Sequence, residues 1–294
     1  MTERRIGFAC AIGVVFIWTG FLLFSRLGAR QDFTPWDMAA LRYTGSFLAA
    51  LPLVAVFGWP SIGLRRALAL VAVAGFGFPI CAYVAFGMAP AAHGAVLLPG
   101  TLPFLTAALW WQVLDEAWTV RRVLSLGVVA LGIGLLAADT FGDYPGAWRG
   151  DILFLTGSIC WALYVLLVRL WATQAMAATL AIALLAAPIY LPIWWLFLPS
   201  NLAAVPIGAT LFQLAYQGIF AVLVAGYLFT RASTALGGPL TSTITAIVPA
   251  IASLAAWPLL GEALGVIGLA GVALVTAGMV LGVLPGLSRR VQQR

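Results

Sequence analysis

Lysine is absent from this chain: all fifteen basic residues are arginine, and there are one histidine, three cysteines and nine acidic residues among 294. Charged residues make up 8% of the sequence and hydrophobic ones 63%. That balance excludes a water-soluble globular domain, in which about a quarter of the residues carry charge. Cys10, Cys81 and Cys160 lie inside apolar runs, with no CxxC spacing and no histidine at ligand distance, so they read as small hydrophobes. Neither a disulfide framework nor a metal site follows from them. HExxH, GxSxG and GxxxxGK[ST] are all missing, and no apolar run contains paired acids. The chain is therefore expected to be neither an enzyme nor a nucleotide-driven pump, and no cofactor is expected.

What the sequence has in quantity is apolar length. A helix of about 20 apolar residues at roughly 1.5 Å per residue crosses a hydrocarbon core of roughly 30 Å. By that rule ten spans are predicted, over residues 6–27, 35–57, 67–88, 91–114, 120–138, 151–171, 177–198, 209–230, 237–259 and 263–284. The runs are continuously apolar and do not alternate with period two, which favours helices over a membrane barrel. Arg4 and Arg5 precede the first run as they would in a signal peptide, but the run lacks a convincing small-residue cleavage site and reads as a true span. The fold class is thus an all-α polytopic membrane protein, with the lipid bilayer as its first partner.

The net charge of +6 does not point to nucleic acid, because the arginines are scattered through short breaks between spans. With the N-terminus placed inside, the inner side collects Arg4, Arg5, Arg65, Arg66, Arg121, Arg122, Arg169, Arg231, Arg289, Arg290 and Arg294. The outer breaks hold Arg26, Arg30 and Arg149, beside Asp32, Asp139, Asp143 and Asp151. The positive-inside rule then puts both termini in the cytoplasm of a multi-pass inner or plasma membrane protein, which requires an even number of spans.

The stretch "PFLTAALWWQVLDE", Pro103 to Glu116, returns as "PAIASLAAWPLLGE", Pro249 to Glu262, an offset of 146 (249 − 103 and 262 − 116). Nearer the start of each half, "WTGFLLFSRL" from Trp18 faces "WALYVLLVRL" from Trp161, an offset of 143. The chain divides into a first repeat over 1–139, a second over 150–285 and a cytoplasmic tail over 286–294. Five spans per half is an odd number, so the second half enters the membrane upside down. Inverted repeats place a substrate site near the midplane and allow the halves to rock between inward-open and outward-open forms.

The segments "FGMAPAAHGAVLLPGTLPFLTAALWWQVLDEAWTVRRVLSLGVVALGIGLL" and "YLFTRASTALGGPLTSTITAIVPAIASLAAWPLLGEALGVIGLAGVALVTAGMVLG" carry a resemblance to the EamA family of the drug/metabolite transporter superfamily. The resemblance covers nearly the whole chain. It implies transport of a small molecule, such as an amino acid, another metabolite or a drug, through a cavity lined chiefly by spans 1, 3, 4, 6, 8 and 9. Spans 5 and 10 would be peripheral. An exporter of amino-acid-like, amphipathic or aromatic compounds is the leading expectation; a multidrug efflux carrier or a non-transport scaffold is the alternative.

Candidate site residues follow from chemistry and position. His93, at the outer start of span 4, can bond a substrate or take up a proton, or can simply cap the helix. Arg42 lies roughly 10 Å inside span 2, where it can attract a carboxylate, snorkel outward, or meet Asp37 or a helix-end carbonyl. Trp18 and Trp161 hold matching places in spans 1 and 6 and offer stacking surfaces; Tyr83, Tyr164 and Tyr227 add polar-tipped rings in spans 3, 6 and 8. Pro99, Pro103 and Pro249 remove helix hydrogen bonds and are candidate gating breaks. Glu116 and Glu262 read as structural, each placed to cap the helix that follows it. Gly261, Gly265, Gly268, Gly271, Gly278 and Gly282 form small-residue faces that serve either a homodimer through the last helices or packing within the chain.

Overall fold

A computed structural model of the chain describes residues 3–114, 119–140 and 144–283. Glu116 and the tail over 286–294 lie outside the described residues. Within them every regular element is helical and there is no strand. The helices are α1 (Glu3–Arg30), α2 (Pro35–Phe57), α3 (Leu64–Met88), α4 (Ala91–Leu114), α5 (Val120–Thr140), α6 (Ala147–Leu170), α7 (Ala175–Phe197), α8 (Ile207–Leu236), α9 (Gly238–Thr245 with Val248–Leu260) and α10 (Val266–Val283). Eight of these are long and apolar enough to cross a membrane, while the second part of α9 and α10 are shorter.

Local chemistry explains several boundaries. α2 starts in a capping box, with Asp37 N donating to Thr34 Oγ1 at 3.0 Å and Thr34 N donating to Asp37 Oδ2 at 3.2 Å, and Pro35 opens its first turn. Gly261, at φ +68°, ends α9 in the left-handed region that favours glycine. Three spans differ from plain helices. α3 passes through a π-helical turn over Val71–Gly77 and α8 through a longer one over Leu214–Val224. α9 is broken at residues 246–247, immediately before Pro249, which occupies the first turn of Val248–Leu260. α4 runs through Pro99 and Pro103 as one helix, as membrane helices can when neighbours satisfy the freed carbonyls.

The packing is pseudo-twofold. α1 packs on α8 and α9, and α6 packs on α3 and α4; α2 lies against α8, and α7 against α3. Advancing each helix number by five converts one set of neighbours into the other. The remaining principal pairs, α2 with α7, α4 with α9 and α5 with α10, map onto themselves. Glycines permit the tightest crossings. A Cβ on Gly132 would lie 2.6 Å from Gly271 O, and one on Gly278 would lie 2.6 Å from Val129 Cγ2. Gly265, Gly268, Gly271, Gly278 and Gly282 all meet α5 in this way, so this glycine face packs within the chain. Between α2 and α8 the approach is as close, with Gly45 against Leu214 O and Gly218 against Gly45 Cα.

Candidate functional site

Polar side chains in an apolar bundle need partners, since water is not there to supply them. Their densest gathering lies where α1, α2, α3 and α8 meet. Gln213 and Gln217 project from α8 and are fully buried. Gln217 Nε2 donates to Ser25 Oγ at 3.3 Å and to Gln213 Oε1 at 3.1 Å, and Gln213 Nε2 donates to Phe24 O at 2.9 Å. From α3, the Tyr83 hydroxyl donates to Gln217 Oε1 at 3.2 Å and also meets the Arg42 guanidinium.

The π turns matter because they shift backbone bonding from i−4 to i−5 and put carbonyls where side chains can reach them. Two neighbours on α2 use this. Tyr43 Oη donates to Gly75 O at 2.6 Å in the π turn of α3, and Arg42 Nη1 donates to Gln217 O at 3.4 Å in that of α8. Arg42 is 9% exposed, and its Cζ sits 5.7 Å from the centre of the Phe21 ring. Phe21 faces Phe78 at 5.9 Å, Phe78 faces Trp161 at 4.9 Å, and Trp161 faces Tyr164 at 5.0 Å. A row of rings therefore runs from the buried cation to partly exposed aromatics on α6.

A second polar cluster joins the two halves at one end of the bundle. Glu262, at the end of α9 and 3% exposed, accepts from Arg26 Nε and Arg30 Nη2, each at 2.7 Å, and from Ala91 N at 2.7 Å. Arg26 also donates to Phe86 O at 2.5 Å, and Arg30 to Leu260 O. One carboxylate thus ties α1, α4 and α9 together with two charge-assisted bonds and a helix N-terminus. Around it His93 Nδ1 meets Asp151 Oδ1 at 2.7 Å, Asp37 accepts from Trp194 Nε1 at 3.1 Å and Asn201 N at 2.9 Å, and Asp139 accepts from Gly265 N at 2.9 Å. Each of these contacts crosses from the first half to the second. At the opposite end, the pair of Glu3 with Arg231 is substantially exposed.

The expected residues are accordingly divided. Arg42 and Tyr83 stand in the polar network, and Trp161 and Tyr164 at the far end of the ring row that leads to it. Trp18 stacks separately on Phe229 at 5.5 Å, and Tyr227 is 55% exposed on α8. His93 is 5% exposed and belongs to the end cluster, not to the network. Arg42 does not pair with Asp37, whose oxygens are held by Thr34, Trp194 and Asn201. Glu262 caps a helix, but it is α4 and not the following α10, whose first turn is served by Asp139. The physical reason is that the end of α1 brings Arg26 and Arg30, and the start of α4 the Ala91 N–H, to the same carboxylate.

Gln213, Gln217, Ser25, Tyr43, Phe21 and Phe78 are the residues that sequence reasoning missed. A signal was present in "QLAYQ": two amides four residues apart occupy one face of an otherwise apolar span, where any polar group needs a partner.

Similarity to known proteins agrees with the architecture. The EamA-like transporter family matches residues 5–138 and again 148–284. The chain is 28% identical over 263 residues to the uncharacterized transporter YyaM of Bacillus subtilis (strain 168), covering 84% of each chain. It is 27% identical over 197 residues to the uncharacterized transporter YwfM of the same organism, covering 65% of this chain and 64% of that one. A solved crystal structure shares the fold, with a TM-score of 0.65 at 17% identity over 95% of this chain and 96% of the other.

Proposed function

Because the chain belongs to the EamA-like transporter family, we propose that this multi-pass membrane transporter is a secondary carrier that exports small amino-acid-like or amphipathic, aromatic metabolites. Its inverted halves rock about the centre, so that the ends open alternately. The observation that carries this reading is the Glu262 cluster: a single buried carboxylate closes one end by bonding Arg26, Arg30 and the start of α4 across the interface between halves. Such a latch is strong when closed and is confined to a few bonds, so one end can open without unpacking the core. The arginine distribution supports both termini lying in the cytoplasm and the latched end facing outward in the cell membrane.

Broad multidrug efflux is the second reading. The row from Phe21 through Phe78 and Trp161 to Tyr164 favours it, since flat apolar compounds of many kinds stack on rings. The fixed polar network beside that row favours a narrower cargo with a defined polar group.

The test is efflux from proteoliposomes loaded with a mixture of the natural amino acids and simple aromatic amines, followed by mass spectrometry. Saturable release of one or a few compounds, absent from empty liposomes, is the expected result. Conductance of small ions without release of any organic compound would overturn the carrier in favour of a channel.

A further inference from the structure

We infer that Arg42 is the anchor for a carboxylate on the cargo, which supplies the direct ion-pair partner that Arg42 lacks within the fold. The inference rests on the carrier reading above and adds a chemical class to it. A guanidinium stays protonated under all ordinary conditions, so its charge must be met by other groups when water is excluded. Elsewhere this fold does so with acid: Arg26 and Arg30 both bond Glu262. At Arg42, among the described residues, no carboxylate is within ion-pair distance.

Its surroundings are instead neutral. They comprise the long 3.4 Å bond to Gln217 O, the Tyr83 hydroxyl and the face of Phe21. The nearest acid along α2 is Asp37, five residues away and roughly 7.5 Å down the axis. That acid is fully buried and its oxygens already accept from Thr34 N, Asn201 N and Trp194 Nε1. It makes no ion pair with Arg42 and acts on it only across that distance.

The geometry suits a carboxylate. The guanidinium fork bonds two carboxylate oxygens side by side, and this match is lost with an amide or an alcohol. Only weak contacts have to be exchanged for it, namely the long carbonyl bond and the ring face. Phe21 stands between Arg42 and the partly exposed Phe78 and Trp161, so an incoming acid with an apolar tail displaces the Phe21 face and lays its tail along the rings. A single cation matches a single negative group, so phosphate monoesters are poorly matched.

The experiment compares leucine, phenylalanine and tryptophan, each with its amide and its decarboxylated amine, as ligands that raise the unfolding temperature of the protein in nanodiscs. The same compounds are assayed for efflux from proteoliposomes. At least one free acid is expected to bind tenfold or more tightly than its amide and amine. Arg42→Gln should remove that preference, and Arg42→Lys, which keeps a cation but not the fork, should retain part of it. If Arg42→Gln does not fold, Arg42→Lys carries the test: a weakened acid preference supports the inference and an undiminished one overturns it. Amides or amines that bind and move as well as acids would overturn the inference while leaving the carrier intact, as would acid selectivity that survives in folded Arg42→Gln. If none of the compounds binds or moves through well-folded protein, the carrier reading fails, and the inference with it.

Discussion

The two halves share a skeleton but not a chemistry. Both place a π turn in their third helix, beginning at Val71 and at Leu214, and 214 − 71 is 143, the offset that relates Trp18 to Trp161. Gly75 in one turn corresponds to Gly218 in the other. The polar residues do not follow: at the same offset Gln213 and Gln217 face Leu70 and Ala74, Ser25 faces Val168, and Arg42 faces Leu185. Backbone geometry is thus matched on both sides, whereas the hydrogen-bonding groups stand on one side of the repeat only. Asymmetric chemistry on a symmetric frame is the pattern expected of a carrier with one central site.

The glycine pair offers the sharpest way to break this comparison. An alanine methyl at Gly218 would sit 2.6 Å from both Gly45 Cα and Ser46 N, a backbone collision that no rotamer relieves. Gly218→Ala is expected to destabilise the protein by about 3 kcal/mol, read as a fall in unfolding temperature in detergent. Its counterpart Gly75→Ala brings a methyl only to 3.3 Å from Val71 Cγ1 and 3.4 Å from Ile182 Cγ2, both side-chain atoms that can shift, and less than about 1 kcal/mol should be lost. Equal losses at the two positions would show that the α2 to α8 crossing is not special.

A smaller effect is expected at the latched end. Glu262→Gln keeps the shape but leaves Arg26, 12% exposed, without its acid, while Arg30 at 39% can turn to water. A cost of about 2 kcal/mol to the closed form follows, less than for a fully buried pair, and a cysteine at Ala263 should react faster with a water-soluble maleimide. Smaller again is His93→Ala. The imidazole bonds Asp151, whose side chain is 29% exposed, so about 1 kcal/mol of stability should go, with substrate affinity within twofold of the unaltered protein. A tenfold loss of affinity would return His93 to the binding site.

Much of the architecture was legible in the sequence because membrane helices are written in long apolar runs and the duplication repeats both proline and acid at fixed offsets. Arg42 and Tyr83 were legible for the same reason: a polar tip in such a run is conspicuous. The Glu262 latch was not, since its partners lie 236, 232 and 171 residues away and nothing local announces them. The π turns were hidden too, as a five-residue bonding register arises from packing and leaves no periodicity of its own in "VAVAGFG" or "LAYQGIFAVLV". α9 is interrupted just before Pro249 while α4 continues through Pro103 at the equivalent place in the repeat, so neighbours and not proline alone decide where a membrane helix is interrupted.

The most direct test of the account measures the distance between spin labels at Gln31 and Ala263, exposed positions at the latched end on opposite halves. Cys10, Cys81 and Cys160 are first replaced by alanine or serine. Alternating access predicts two distances in the membrane-embedded protein, the shorter matching the latched form, with the longer one enriched several-fold in Glu262→Gln. A single short distance in both proteins would contradict the account, because the halves would then be a fixed bundle and not the moving parts of a carrier.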